Sequence, residues 1–284
     1  MRKRYKSDLT DAQWELIKAL IPPAKHGGRP RTTDMREVLN TLLYQARTGV
    51  QWDYLPHDLL PKSTVWDYFT AWQKDGTWQR ILDSLRGQIR TEAGRQETPS
   101  AACIDTQSVK STEIGGPSGY DGNKKIDGRK RHIVVDTLGL LMAVAVTAAN
   151  LDDGTHAPKV LGKVKAEKFP RLEAMYADNK YNNHTLDDWM EDKQVGYRLV
   201  ISSKPADQEG FVPLKIRWVV ERTFAWLGRW RRLSRDYEYK TASSKAWIQI
   251  SAIGMMLRRL RPHKENSQAE FKYPKPDKKT VQSS

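Results

Sequence analysis

Three carboxylates in this chain stand where catalytic chemistry could be built: Asp105, Asp178 and Glu221. Glu221 lies inside RWVVERTFAWLGRWRRL, residues 217–233. Wound as a helix at about 100° per residue, this stretch puts Val219, Val220, Thr223, Phe224, Trp226, Leu227, Trp230 and Leu233 on one apolar face. Glu221 falls near the middle of the opposite face, flanked by Arg217, Ala225, Gly228 and Arg232. On this helix alone the simpler reading is a solvated face where Glu221 pairs with Arg217 or Arg222, since surface ion pairs are nearly costless. Asp105 ends the apolar run AACID (101–105) and Asp178 ends EAMYAD (173–178), both of which read as strands. An aspartate ending a strand is commonly a turn former or a helix cap. The conjunction says more. Sites in open sheets with helical crossovers form at the carboxyl ends of strands. Neighbouring strands would therefore project both aspartates at one edge, and the helix of Glu221 can supply a third carboxylate. Three converging carboxylates repel unless cations neutralise them. Two Mg2+ ions about 3.5–4 Å apart, or Mn2+ in their place, would do so and could drive chemistry at a phosphodiester.

The elements that must position these groups change character along the chain. The first third reads as helices. Thr10 with Gln13 makes a capping box for a helix ending before Pro22 and Pro23. Thr33 is the expected cap of a second helix, with Val38, Leu42 and Leu43 inward and Gly49 as its stop. Ser63 is the expected cap of a third, carrying Val65, Phe69 and Trp72, and a fourth runs from about Trp78 to Arg90. Short helices with tight turns suit a small all-α, helix-turn-helix-like domain. TEAGRQETPS (91–100) reads as a linker. Beyond it come a buried strand at 101–105, a hairpin over 132–147 turning near Thr137 to Gly139, and a helix around His156 to Lys168. A strand at 173–178, a helix around Asp187 to Lys193, a strand at 197–202 and the Glu221 helix follow, closed by a helix over about Ser243 to Leu260. That order describes an α/β mixed sheet with helical cover. The expected division is 1–95 helical, 96–261 catalytic and 262–284 a polar, disordered tail.

Among 284 residues the apolar fraction is 38% and ten are tryptophan, enough for real cores, and the formal charge is +14. So large a positive charge concerns partners, a polyanion being the obvious one, and the clustering of the basic residues favours nucleic acid. The single cysteine, Cys103, rules out an internal disulfide and a cysteine zinc site. The longest apolar run, 138–149, is too short to span a bilayer as a helix, and the N-terminus lacks a signal-like stretch. A cytoplasmic, nucleoid-associated protein is the consistent expectation. Three basic segments are candidate DNA contacts. GNKKIDGRKRH (122–132), with Lys124, Lys125, Arg129 and Lys130, reads as a phosphate-tracking loop or as a solvated charge run. KHGGRPR (25–31), with Arg29 and Arg31, reads equally as a groove-seeking arm or a linker. The third helix, with Lys62, Ser63 and Thr64 near its start, is the candidate recognition helix.

Several blocks also carry a resemblance: LTDAQWELIKALIP (9–22), GGRPRTTDMREVLNTLLYQARTG (27–49), AACIDTQSVKS (101–111), GRKRHIVVDTLGLL (128–141), YADNKY (176–181), RWVVERTFAWLGRWRRL and MLRRLRP (256–262). The chain resembles the bacterial insertion-sequence transposases of the DDE class, in the insertion-sequence-five-like group. The resemblance implies a ribonuclease-H-like catalytic core after an N-terminal helical DNA-binding region, with the three acidic positions on Asp105, Asp178 and Glu221. It implies that Asp105 bridges both metal ions while Asp178 and Glu221 each complete one shell. Around the last carboxylate the group's Tyr, Arg, Glu, Lys signature is met at Arg217, whereas Leu214 and Gly228 stand at the tyrosine and lysine positions. Arg229 or Arg232 is then the expected replacement for the lysine's DNA contact. After the second aspartate, Asn179 and Lys180 stand before Tyr181 where many relatives have glycine. The implied activity is cleavage at the terminal inverted repeats of a mobile element and strand transfer into target DNA, by a homodimer or larger assembly on DNA. A catalytically silent repressor with the same fold and a ribonuclease-H-like nuclease are the two alternatives.

Overall fold

Thr10 begins the first helix as its neighbours dictate. Its hydroxyl accepts from the Gln13 backbone N–H at 3.2 Å, while the Gln13 side chain accepts from the Thr10 N–H at 3.1 Å. That reciprocal cap starts α1 (Asp11–Ile17) in the computed structural model, which describes residues 2–24, 26–27, 30–202 and 217–263. α2 (Met35–Thr48) is capped by Asp34, whose carboxylate accepts from the Arg36 N–H at 2.8 Å. Thr33, the expected cap, stands one residue too early. Gly49 ends α2 at φ 75°, as expected, and a Cβ there would meet Arg231 at 3.1 Å. α3 (Lys62–Lys74) starts directly after Pro61 without a side-chain cap, so Ser63 lies within its first turn. α4 (Thr77–Glu92) follows through Gly76.

These helices bury the faces that their periodicity marks: Val38 and Leu42, Val65 and Phe69, Ile81 and Leu85. The same apolar cluster takes in the long closing helix α9 (Thr241–Leu260) and one face of the sheet through Cys103, Ile133 and Val135. Trp247 of α9 packs against Phe69 of α3 with ring centroids 5.0 Å apart and the planes tilted by 30°. One cluster thus joins the N-terminal helices to the last helix and to the sheet.

The sheet comprises β1 (Ala101–Lys110), β2 (Gly119–Asp121), β3 (Ile126–Asp136), β4 (Leu141–Ala148), β5 (Ala174–Ala177) and β6 (Arg198–Ile201). Its order is β2-β3-β1-β5-β6, with β4 also beside β3. β1, β3 and β4 pair antiparallel, whereas β5 and β6 join parallel to β1. An antiparallel meander extended on the far side of its first strand by two parallel strands is a ribonuclease-H-like mixed sheet. The turn between β3 and β4 is where the sequence places it, with Gly139 at φ 80°.

Two strands are longer than their apolar runs. β1 continues to Lys110 and β3 begins at Ile126, because their polar residues are satisfied inside the protein. His132 bonds Thr147 at 2.8 Å, and the Ser108 hydroxyl donates to Asp121 at 2.6 Å. The helix expected around His156 to Lys168 is instead two short turns, α5 (Asp153–His156) and α6 (Pro158–Leu161), with Pro158 restarting the chain. α7 (His184–Asp192) packs on that side of the sheet, over a second cluster built on Ile104, Val134, Leu161, Phe169, Met175 and Leu186. α8 (Trp218–Gly228) covers β1 and β3 on the opposite face, and no described helix is long and apolar enough to cross a membrane. The helix expected to run through Leu233 stops at Gly228. Trp230 is extended and buried, and a single turn follows at Arg231–Leu233. Arg29, Leu214 and residues 264–284 of the expected tail lie outside the described residues.

Candidate active site

Parallel pairing sets the first two acids. β1 and β5 are in register through Cys103 and Tyr176. Two residues further along each strand, on the same side of the pleat, stand Asp105 and Asp178. Adjacent strands lie about 4.8 Å apart, so the two carboxylates flank each other. Asp105 is not at the end of its strand, as the apolar run suggested, but midway along β1 opposite Ile133 of β3. Asp178 does follow the last residue of β5, where its Oδ1 accepts from the Lys180 N–H at 3.0 Å.

The pair is electrostatically tense. Desolvation pushes the Asp105 carboxyl up to about 6, and the charge of Asp178 adds to the rise. A 2.7 Å bond from the Thr106 N–H, together with Arg217 and Lys124, opposes it. Arg217 places Nη2 3.9 Å from Asp178 Oδ2. Lys124, exposed in the turn between β2 and β3, donates from Nζ to the Thr106 carbonyl at 3.2 Å. Cations thus approach the acid pair from α8 and from that turn.

Glu221 sits one helical turn beyond Arg217, with its side chain exposed. The back of α8 is buried as its sequence predicts, through Val219, Val220, Thr223, Phe224 and Leu227. Neither ion pair of the solvated-face reading forms. Among the described residues Arg217 turns to Asp178, and Arg222 lies over the rings of Trp218 and Trp226 at 4.8 and 4.6 Å. The fold therefore brings together Asp105, Asp178 and Arg217. Glu221 is carried on the neighbouring helix and does not close with the aspartates: among the described residues no three His, Cys, Asp or Glu side chains gather closely enough to hold a metal ion.

Sequence reasoning missed Asp153, a buried carboxylate behind the pair. It receives Lys130 Nζ at 2.9 Å and Lys180 Nζ at 3.5 Å. The signal was a lysine inside a core strand, which requires a buried carboxylate. Buried Tyr181 lies in the same field, and its hydroxyl is held well above its ordinary range by desolvation and by Asp105, Asp153 and Asp178.

Three expected DNA contacts are corrected by burial. Arg129 is fully buried, bonding Asp236 Oδ1 at 2.9 Å, Ser244 Oγ at 2.9 Å and the carbonyls of Tyr239 and Pro117 at 2.8 Å. Lys130 is spent on Asp153 and the Leu151 carbonyl. Arg232 is buried against Glu238, with Nε 3.0 Å from Oε1, and lies over Trp247. The segment 122–132 is accordingly a turn leading into β3, and only Lys124 and Lys125 of its four named residues face solvent. Ser63 is exposed, Thr64 is half-buried, and Lys62 is exposed but paired with Asp53. Arg31 is exposed and bonds the Pro22 carbonyl at 2.9 Å, and Arg229 is exposed just past the end of α8.

Known proteins share two parts of this sequence. Residues 96–257, more than half of the chain, match the family model "Transposase DDE domain", and residues 9–82 match "Putative transposase of IS4/5 family". The "Putative transposase for insertion sequence element IS402" of Burkholderia cepacia is 32% identical over 130 residues, 43% of this chain and 60% of that relative. The "Insertion element IS402 uncharacterized 16.2 kDa protein" of the same organism is 31% identical over 114 residues, 38% of this chain and 76% of the relative. The match to the first of these relatives thus spans less than two thirds of its length. Among solved structures, "Crystal structure of the Mos1 Strand Transfer Complex" covers 84% of this chain and 79% of its own at 9% identity, with a TM-score of 0.25, too slight a likeness to carry an argument.

Proposed function

The chain belongs to the DDE-domain transposases, and on that premise we propose that it cuts the ends of its own mobile element and joins them to target DNA. The observation that carries the proposal is the parallel register of β1 and β5, which sets Asp105 beside Asp178 under the helix of Glu221. The donor set fits a hard divalent ion. It offers only oxygens, and the Asp105 carboxyl, raised chiefly by burial and further by the charge of Asp178, would be relieved by a cation beside it. Asp105, Asp178 and Glu221 would hold two Mg2+ ions, with Glu221 swinging toward the pair. Bound there, Mg2+ or Mn2+ supplies charge neutralisation and a more acidic attacking oxygen.

The chain's own groups do the rest in this reading. Arg217 and Lys124 hold the phosphodiester over the acid pair, and Asp153 fixes Lys180 at its edge. Water first breaks the bond that leaves a 3′ hydroxyl on the element. That hydroxyl then displaces a 3′ oxygen in target DNA, and the released hydroxyl takes the proton. No covalent protein–DNA bond is needed, so no Ser or Tyr nucleophile is assigned. Terminal inverted repeats and target duplex are the proposed partners, bound by a homodimer or larger assembly. The proposal keeps a helical DNA-binding part at 1–95 and a catalytic part at 96–261, with Arg29, Arg31, Lys62, Ser63, Thr64, Lys125 and Arg229 as further DNA contacts.

The test is incubation of the purified chain with duplex carrying the element ends, Mg2+ or Mn2+, and a target plasmid. Nicking at the end plus a joined product, both lost in Asp105→Asn, supports the reading. Cutting without joining would make the chain a nuclease, and binding without cutting would make it a repressor.

A further inference from the structure

Away from the acid pair, α8 lines a second feature, of which the proposed function draws only on Arg229. A cleft of about 600 Å3 opens between the turn at residues 137–141, α8 and α9. Its floor is apolar and aromatic, and five arginines converge on it from three parts of the chain: Arg47 from α2, Arg222 from α8, Arg229 just beyond, and Arg258 and Arg259 from α9. None of its lining residues is acidic.

Several arginines elsewhere in the fold meet carboxylates. Arg86, Arg90, Arg129, Arg232 and Arg261 each meet a carboxylate within 3.0 Å. Among the described residues none of the five cleft arginines has an ion-pair partner. Aromatic rings and backbone carbonyls hold four of them instead. Arg47 and Arg258 both lie over Trp230, at 5.5 and 5.6 Å from its centroid. Arg222 and Arg259 reach the Leu138 carbonyl at 3.3 and 3.4 Å, and Arg47 bonds the Arg229 carbonyl at 3.1 Å. These contacts fix the guanidinium planes and leave many donors unused. Arg222 Nε is buried without a hydrogen-bond partner. Burial and the like charge of Arg47 lower the Arg258 guanidinium from its ordinary value.

We infer that this cleft seats the sugar–phosphate backbone of DNA, the arginines binding successive phosphates and the apolar floor receiving deoxyribose. Planar guanidiniums in fixed orientation suit bidentate phosphate recognition. Position favours the same occupant: at 1.5 Å rise per residue, Arg229 lies roughly 12 Å along α8 from Glu221, so one strand can cross both. The identity of the ligand rests on the function proposed above.

The test measures binding rather than cleavage. Anisotropy of a short fluorescein-labelled duplex of arbitrary sequence is titrated with the full chain, without divalent ions, across a salt series. Losing two phosphate contacts should make the slope of log K against log salt shallower by about 2. Arg258→Gln with Arg259→Gln should show that change, and Arg258→Lys with Arg259→Lys should restore most of it. Thermal unfolding of each variant shows that the fold is retained. An unchanged slope in the folded Gln variant overturns the inference. So does an unchanged duplex slope joined to lost binding of an acidic peptide, which would assign the cleft to a protein partner. A chain that cuts nothing yet shows the altered slope removes the catalytic reading and leaves the cleft standing.

Discussion

Arg129 gives the sharpest contrast between what the sequence suggests and what the fold does with it. It sits in a dense basic segment, yet its guanidinium is fully buried and bonds four groups, including Asp236 at 2.9 Å. Those partners tie β3 to the chain just before α9 and to α9 itself. Arg129→Gln keeps a polar head but strands the Asp236 carboxylate, whose Oδ1 would retain only the Ser244 hydroxyl and the Glu238 N–H. Breaking a buried pair from one side costs about 3–5 kcal/mol. At 2–4 °C per kcal/mol for a chain of this size class, the melting temperature should fall by roughly 6–20 °C. Removing the stranded charge as well, in Arg129→Gln with Asp236→Asn, should recover part of the loss. Thermal unfolding by circular dichroism measures all three proteins, and duplex anisotropy in the same buffer measures DNA affinity. A native melting temperature with a shallower salt slope would refute the assignment of Arg129 to the interior.

Other expectations follow from the same geometry. Gly139 holds φ 80°, and a Cβ would meet Thr223 Oγ1 at 2.8 Å, so Gly139→Ala should lower the urea unfolding free energy by about 1–2 kcal/mol. The Asp105 carboxyl, raised to about 6, binds its proton more tightly in the folded state than in the unfolded one. Without divalent ions it therefore subtracts stability as pH rises from about 4 to 6. Asp105→Asn should remove that term and be more stable than the parent by up to about 3 kcal/mol at pH 7, read from urea midpoints across pH. His132, buried against Thr147 and lowered to about 4, shifts in the opposite sense. Its neutral form supports the fold fully above about 6.5, and that support is lost as pH falls toward 4. Its ring-proton NMR shift should stay flat through pH 6.5, and a titration there would contradict its burial.

The helical third was largely legible because its apolar spacing is regular. Val38, Leu42, Phe69 and Leu85 are all buried where period alone puts them. The same regularity located the back of α8 and the Gly139 turn. What the sequence concealed was charge turned inward. Arg129, Lys130 and Arg131 look like a solvent-facing run, but each is matched by a carboxylate or carbonyl from a distant segment: Asp236, Asp153 and the Leu233 carbonyl. The Arg129 and Arg131 pairings span 107 and 102 residues and leave no local trace. Asp105 and Asp178 were found as strand residues next to apolar runs, but their common level depends on register, which only pairing fixes. Asp153 was hidden because its role comes from Lys130, from which the rest of β3 and the whole of β4 separate it, and the pair is visible only once β3 is assembled. The sharing of one apolar cluster between α3, α4 and α9 was hidden likewise, since nothing in the helix periods says which helices meet.

The central claim is that the carboxylates of Asp105, Asp178 and Glu221 share divalent ions. Crystals of the protein soaked in Mn2+ and measured at the manganese absorption edge test it most directly. The account predicts anomalous peaks bounded by oxygens of all three side chains, and their loss in Asp178→Asn. Manganese bound elsewhere, or at the aspartates with Glu221 still turned to solvent, would contradict it.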